Sequence, residues 1–413
     1  MNLKSVNLAR HKPQSLLQTN RSRLKTQQQQ PEITTLLNDQ PIRGISIVVP
    51  TFKRVVLCQK LLVSLQHSQQ QVSVPVEITL IDNSPPAEAR KIQALCEEYG
   101  ARYLFSKIGV GAKRNQGAKL AQYPIVLFID SDCEATPQLI QQHLDIYQNN
   151  QQVVAILGPT KFKGPENFIW RVLQWTPFLM PFRLADEAGQ RVWGPSNNLS
   201  CRKAIFEQVE GFDESLPDKP GGEDVDFGYR LYKAGHLFMT NPQATIYHTT
   251  ETWNTVRQVV NRLFHWGQGE FYLYYNHGEY LHYDCPKGLA MVSLLLPIAL
   301  TMSIFTRDLA WFLLPLLFLT VNFVSRLLLH LVYHPERLSQ GIRVLLAETL
   351  VLVYELGLTA QCLKKGWFIP LYNRLIILPE DAIAVWNTQI LYTWVLFAQL
   401  IVTITLFQWL QSS

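Results

Sequence analysis

The chain has 413 residues, of which 47% are hydrophobic and only 17% charged, and its 37 Lys plus Arg against 32 Asp plus Glu leave a formal net charge of +5. This length exceeds one common module, and the composition excludes a disordered chain and points to membrane-buried segments; the weak positive charge excludes nucleic acid as an electrostatic partner. Six scattered cysteines (Cys58, Cys96, Cys133, Cys201, Cys285, Cys362) form neither a CxxC pair nor a zinc-type Cys/His spacing, so free thiols in a reducing compartment are expected.

Residues 1–43 form a basic, Gln-rich tail with no acid before Glu32. It lacks the apolar core of a secretory signal, so the N-terminus is expected in the cytoplasm, either against anionic lipid or simply solvated. From residue 45 short Ile- and Val-rich runs at 45–49, 78–81, 103–105, 125–129 and 153–157 alternate with helical stretches at about 54–68, 86–99, 111–121 and 136–149. Strand-helix alternation of this kind predicts an α/β fold with a doubly wound, mainly parallel sheet. Ligands of such sheets bind outside the carboxyl ends of the strands, where this sequence places Pro50-Thr51, Asp82-Asn83 and Asp130-Ser131-Asp132.

The α/β region is expected over 44–250, a helical acceptor-side segment over 251–287 and a membrane region over 288–413. Spans are expected at about 288–306, 309–330 and 388–410, each long enough for a hydrocarbon core of about 30 Å. The apolar stretch 342–360 carries Glu348 and Glu355 on one helical stripe, with Arg337 and Arg343 before it and Lys364, Lys365 and Arg374 after it. Basic flanks on both sides favour an amphipathic or re-entrant helix on the inner interface over a fourth span. The catalytic region then lies on the cytoplasmic side of an inner or plasma membrane.

Three clusters carry chemistry. Asp130-Ser131-Asp132 offers hard oxygen ligands to a divalent cation, or merely caps the next helix. GVGAKRNQG, residues 109–117, combines glycines with Lys113 and Arg114 and suits a diphosphate, or is an ordinary basic turn between strand and helix. Glu223, Asp224 and Asp226 open a helix behind Gly221-Gly222; they complement the helix dipole, and one of them, ionised near a cation, is a candidate general base.

Taken in order, SIVVPTFKR, the Asp82 strand end, GVGAKRNQG, FIDSD, GPSNNLSCRKAIFEQVEGFDE and GEDVDFGYRL resemble inverting family 2 glycosyltransferases with a GT-A fold, over roughly residues 44–250. The resemblance implies roles. Pro50, Thr51 and Asp82 would hold the nucleotide base, with Arg114 and Asn115 beside the nucleotide. Asp130 would contact ribose or metal, and Asp132, with His248 as a further ligand, would bind Mg²⁺ or Mn²⁺. Asp224 would be the catalytic base and Glu223 its support on the acceptor side, while Trp193, Asn197, Asn198, Arg262 and Trp266 would face the acceptor. The processive synthases' QxxRW motif is stretched here to Gln258-x3-Arg262-x3-Trp266. That spacing favours addition of one sugar from a nucleotide-sugar donor to a lipid-linked or glycan acceptor at the membrane. The alternatives are a processive polysaccharide synthase and a catalytically silent membrane scaffold or nucleotide-sugar sensor.

Overall fold

The computed structural model describes residues 42–106, 109–216, 219, 221–283, 288–333, 341–376 and 379–412; residues 1–41 of the expected tail, Cys285 and Arg337 lie outside the described residues. In chain order the α/β part comprises β1 (Ile45–Thr51), α1 (Val55–Gln69), β2 (Val76–Asp82), α2 (Pro86–Glu98), β3 (Arg102–Phe105), α3 (Val110–Leu120), β4 (Ile125–Ile129), β5 (Cys133–Ala135) and α4 (Leu139–Asn149). It continues through β6 (Ala155–Leu157), β7 (Thr160–Lys163), α5 (Phe168–Leu173), β8 (Gln190–Arg191), β9 (Asn198–Arg202), α6 (Lys203–Gln208), α7 (Glu223–Lys233), β10 (Phe238–Thr240) and β11 (Ile246–Thr249). Then follow α8 (Val256–Asn276), β12 (Leu281–Tyr283), α9 (Gly288–Thr306), α10 (Leu313–Tyr333), α11 (Gly341–Lys365), β13 (Asn373–Leu375) and α12 (Pro379–Ser412).

The main sheet has eight strands in the order β3-β2-β1-β4-β9-β6-β10-β8. Its first four are parallel, and register sets Thr51 at the end of β1 opposite Asp82 at the end of β2. Every residue of β1 and β4 is buried, as strands covered on both faces require. Beyond β4 the sheet is mixed, because β9 enters from the opposite end and runs antiparallel to both β4 and β6. Helices α1, α2 and α4 close one face through Leu61, Leu62, Leu65, Ile92 and Leu144 against Ile47, Val49 and Ile129. Each such side chain contributes about 1.5–3 kcal/mol on burial.

Two expected elements shift. The helix expected from residue 136 begins at Leu139, because 136–138 form a turn in which the Leu139 amide donates to the Thr136 carbonyl at 3.0 Å. The reading of GVGAKRNQG as a turn shifts too, because from Val110 onward the motif belongs to α3, the helix expected at about 111–121. Gly117 therefore serves packing, since a Cβ there would run into Val48 of β1.

A three-stranded sheet, β5-β11-β7, pairs His248 of β11 with Cys133 of β5. A second core joins Trp170 and Leu173 of α5, Trp253, Val259 and Leu263, and Ala347 and Leu350 of α11. Helices α8 and α11 cross so closely that a Cβ on Gly267 would strike the Tyr354 carbonyl and one on Gly357 the Phe264 carbonyl. Glu348 and Glu355 do share one stripe of α11, which faces Arg326 of α10 at 2.9 Å for each carboxylate. Among the described residues two helical segments are long and apolar enough to cross a membrane, Gly288–Thr306 and Leu309–Leu328. The expected third span lies in α12, where the described residues include the apolar segment Val395–Gln411.

Candidate active site

The strand ends and the start of α7 surround a cavity of about 710 Å³, lined on its polar side by Arg54, Arg114, Asp130, Asp132, Glu223 and Asp224. Helix α7 can begin there because Gly222, with φ of 92°, adopts the left-handed conformation that L side chains rarely tolerate. Three acids in its first turn, Glu223, Asp224 and Asp226, are favoured by the positive end of the helix dipole.

Arg114 organises the acids. Its Nη2 donates to Asp130 Oδ1 at 2.7 Å and its Nη1 to Glu223 Oε1 at 3.2 Å, and its side chain is almost wholly buried. Glu223 Oε2 also accepts the Gly221 amide at 2.9 Å, which ties the glycine loop to the start of the helix. Asp224 is left beside this pair with a backbone hydrogen bond to the Val225 amide at 2.9 Å. Burial and the neighbouring Glu223 carboxylate push its carboxyl up to about 7, against the opposing pull of Arg114. A carboxyl raised toward neutrality has the poise a general base needs, and a cation bound nearby would favour its ionised form.

Asp132 lies across the cavity in a cationic setting. Arg54 Nη1 approaches its Oδ1 at 3.0 Å, His248 Nε2 approaches Oδ2 at 3.4 Å, and the Thr252 hydroxyl donates to Oδ2 at 3.0 Å. Burial alone would raise this carboxyl, but His248, Arg54 and Arg262 outweigh it and hold it down to about 2. His248 Nδ1 lies 2.8 Å from the Thr249 carbonyl, an acceptor that places a proton on Nδ1, so that Nε2 is the nitrogen directed at Asp132 and would be the one to bind a cation in the neutral ring. Asp132 Oδ1 has no hydrogen bond despite its ion pair. A carboxylate and an imidazole with facing lone pairs fit a divalent cation. Cys133 completes the cluster by position, but burial pushes its thiol well up, so it offers a neutral sulfur that suits a hard cation poorly.

The other expected residues divide. Pro50, Trp193, Asn197, Arg262 and Trp266 line the cavity with the acids. Arg262 stacks on Trp253 with its guanidinium carbon 3.8 Å from the ring centroid, and burial holds it down to about 10. Asn197 forms wall rather than reach, since its amide is engaged by Thr160 at 3.1 and 3.2 Å. Thr51, Asp82, Asn115 and Asn198 are not among the lining residues. The Thr51 hydroxyl bonds the Cys58 sulfur, and Asp82 is fully buried, taking the Ser84 amide and hydroxyl on Oδ1 and the Tyr103 hydroxyl on Oδ2. Asn115 clamps the 212–214 loop through the Phe212 backbone and Glu214, and Asn198 of β9 bonds His143, Pro159 and Ala244 inside the core. Lys113, expected to face a diphosphate, is turned inward to the Thr51 carbonyl at 2.7 Å and Asn83 at 2.6 Å, and burial brings it down to about 8.

Among the cavity residues that went unassigned in the sequence are Arg54, just past the end of β1, and Glu270 on α8. Arg54 was detectable from its place after a strand end; nothing local marked Glu270.

Residues 46–210 match the family model for glycosyl transferase family 2. Validoxylamine A glucosyltransferase of Streptomyces hygroscopicus subsp. jinggangensis is 27% identical over 221 residues, 46% of this chain and 52% of that protein. Hyaluronan synthase of Pasteurella multocida is 25% identical over 244 residues, 50% of this chain and 24% of that one. The chain therefore spans about half the length of the first relative and a quarter of the second. Among solved structures, S. aureus TarS 1-349 in complex with UDP-GlcNAc aligns with a TM-score of 0.42 at 16% identity, covering 56% of this chain and 66% of that one. The match to glycosyl transferase family 2 falls on β1 to β9, the part of the α/β domain whose strand ends border the cavity at Pro50, Asp130 and Asp132.

Proposed function

We propose that the protein is an inverting glycosyltransferase that moves one sugar from a nucleoside diphosphate sugar to a hydroxyl of a lipid-linked or glycan acceptor presented at a membrane. The observation that carries this reading is Asp224: a carboxyl raised to about 7, open to a cavity whose opposite wall holds Asp130 and Asp132. A base at that pH takes the acceptor hydroxyl's proton as the oxygen attacks the anomeric carbon, on the face away from the departing diphosphate. One displacement of this kind inverts the anomeric centre. Glu223 and Arg114 hold the start of α7 so that the base keeps its aim, and Arg54 and Arg262 supply positive charge on the donor side. Asp132 and His248 would hold Mg²⁺ or Mn²⁺, which when bound stabilises negative charge on the leaving nucleoside diphosphate.

Membrane association is supported by the α9–α10 pair of apolar segments. Under this reading they anchor the chain as a multi-pass protein, α11 lies along the inner interface with Lys364 and Lys365 at its basic end, and the transferase domain is cytoplasmic. Single addition rather than processive synthesis rests on the stretched spacing Gln258-x3-Arg262-x3-Trp266.

The test is thermal stabilisation of the detergent-purified protein by nucleoside diphosphates and nucleotide sugars, with and without Mn²⁺, beside Asp132→Ala. A ligand at about 100 times its Kd adds about 2.7 kcal/mol. Metal-dependent stabilisation by one nucleotide, absent in the variant, is the expected result; no stabilisation by any of them rejects the reading in favour of a silent scaffold.

A further inference from the structure

Asp132 has a claimant within the chain besides the cation it would bind. Arg54 Nη1 lies 3.0 Å from Asp132 Oδ1, the oxygen opposite the one that faces His248, and donates to the Ser131 hydroxyl at 3.4 Å. The turn after β1 is built to bring it there. Lys53 takes the left-handed conformation, with φ of 57°, and its amide donates to the Ser84 hydroxyl, just past the end of β2, at 2.7 Å. A non-glycine residue in that region is strained, and the strain persists only where surrounding contacts over-determine it. The two ends of the ion pair differ in freedom. The Asp132 side chain is 2% exposed and also takes the Thr252 hydroxyl, whereas the Arg54 side chain is 32% exposed and borders the cavity. Arg262, the other guanidinium acting on Asp132, is fastened by its stack on Trp253 and by the Thr252 carbonyl. Of the two, Arg54 is the one free to leave.

We propose that Arg54 is an internal counter-cation that competes with the divalent metal for Asp132 and is drawn off by the nucleotide's diphosphate, so that nucleotide and metal bind cooperatively. The inference rests on the transferase reading and names how its two donor-side ligands depend on each other. A guanidinium and a divalent cation on one carboxylate repel each other, and in a buried place the repulsion is poorly screened. Without a nucleotide the metal must turn Arg54 away with no anion to receive it, so the protein alone binds metal weakly. A diphosphate offers the guanidinium paired oxygens. Once Arg54 turns to them, Asp132 is left to the metal, and by linkage the metal strengthens nucleotide binding by the same factor. The exchange also keeps Asp132 partnered at each stage, which a buried carboxylate requires.

The experiment uses the full chain in detergent and follows free Mn²⁺ by electron paramagnetic resonance, without nucleotide and with UDP, GDP or dTDP at saturation. In the wild type one diphosphate is expected to tighten Mn²⁺ binding by about 10-fold or more. Arg54→Gln is expected to bind Mn²⁺ alone about 10-fold more tightly than the wild type and to gain less from the nucleotide. Arg54→Lys keeps the charge and is expected to stay near the wild type, and Arg54→Met repeats the neutral substitution should the glutamine variant not fold. Adding Asp132→Ala to the neutral variant is expected to abolish the tightened binding. The proposal is overturned if neutralising Arg54 leaves Mn²⁺ affinity without nucleotide unchanged or weakens it, if Arg54→Lys tightens it equally, or if the tightened binding survives Asp132→Ala. A metal that only bridges protein and diphosphate gives cooperativity in the wild type but no gain for Mn²⁺ alone in the neutral variant, so the two mechanisms separate. Failure of every nucleotide to bind would instead remove the transferase reading, so the two failures are told apart.

Discussion

Two arginines in this protein each hold two carboxylates. Arg114 spans Asp130 at 2.7 Å and Glu223 at 3.2 Å in the crevice, and Arg326 spans Glu348 and Glu355, both at 2.9 Å, between α10 and α11. Each cluster carries more negative than positive charge, yet the surplus falls differently. In the crevice it is Asp224, facing the cavity and held near neutrality by burial and Glu223. Between the helices it stays within Glu355, whose Oε2 is buried and unpartnered, and whose helix also packs on α8. The same pairing makes a reactive group where it borders a cavity and a fastening where it is enclosed. Low polarity makes both strong, and a neighbouring cavity for a substrate distinguishes them.

The sharpest break between the two is expected from their central members. Asp224→Asn should lower transfer by about 10²- to 10⁴-fold, the usual worth of a general base, with nucleotide affinity retained by calorimetry. Arg326→Met should leave transfer chemistry per folded molecule intact but cost about 3 kcal/mol of stability, because Glu348 and Glu355 each lose an ion pair in a largely buried place. Adding Glu348→Gln and Glu355→Gln to that variant should recover most of the loss in a thermal melt.

The pH dependence sharpens the comparison further. With Asp224 raised to about 7, transfer should rise with pH through about 7 and level off above it. The same shift makes the folded state bind more protons than the unfolded chain between the ordinary carboxylate range and about 7, so stability falls as pH rises through that window. Asp224→Asn should therefore melt higher than the wild type at pH 8 and gain little at pH 4. The smallest effect belongs to Gln258, whose side chain accepts the Thr255 amide at 3.0 Å while the Thr255 hydroxyl accepts the Gln258 amide. Gln258→Ala should cost about 0.5–1 kcal/mol of stability and leave nucleotide binding unchanged, as loss of half a capping box does.

Strand ends, the acids of α7 and the apolar hairpin were legible because each is a local pattern: a run of Ile and Val, a glycine pair before acids, a stretch without charge. Facing was not legible. Asn115 and Asn198 stand inside motifs, yet Asn115 turns to the 212–214 loop and Asn198 into the core, and Asp82 ends its strand with both oxygens already occupied. Glu270 sits in a helix that reads as ordinary, and only the approach of Gly221 and α11 makes it border a cavity.

The sequence by itself determined the alternation of strands and helices, the α/β class and the helical stripe of Glu348 and Glu355, since backbone period and apolar spacing are properties of neighbours along the chain. The tertiary structure decided the reversed β9, the inward turn of Lys113 and the meeting of Arg114 with Glu223, 109 residues away. Those depend on which surfaces meet once the core has closed, and the energy of a charge is set by the partners and the burial it finds there.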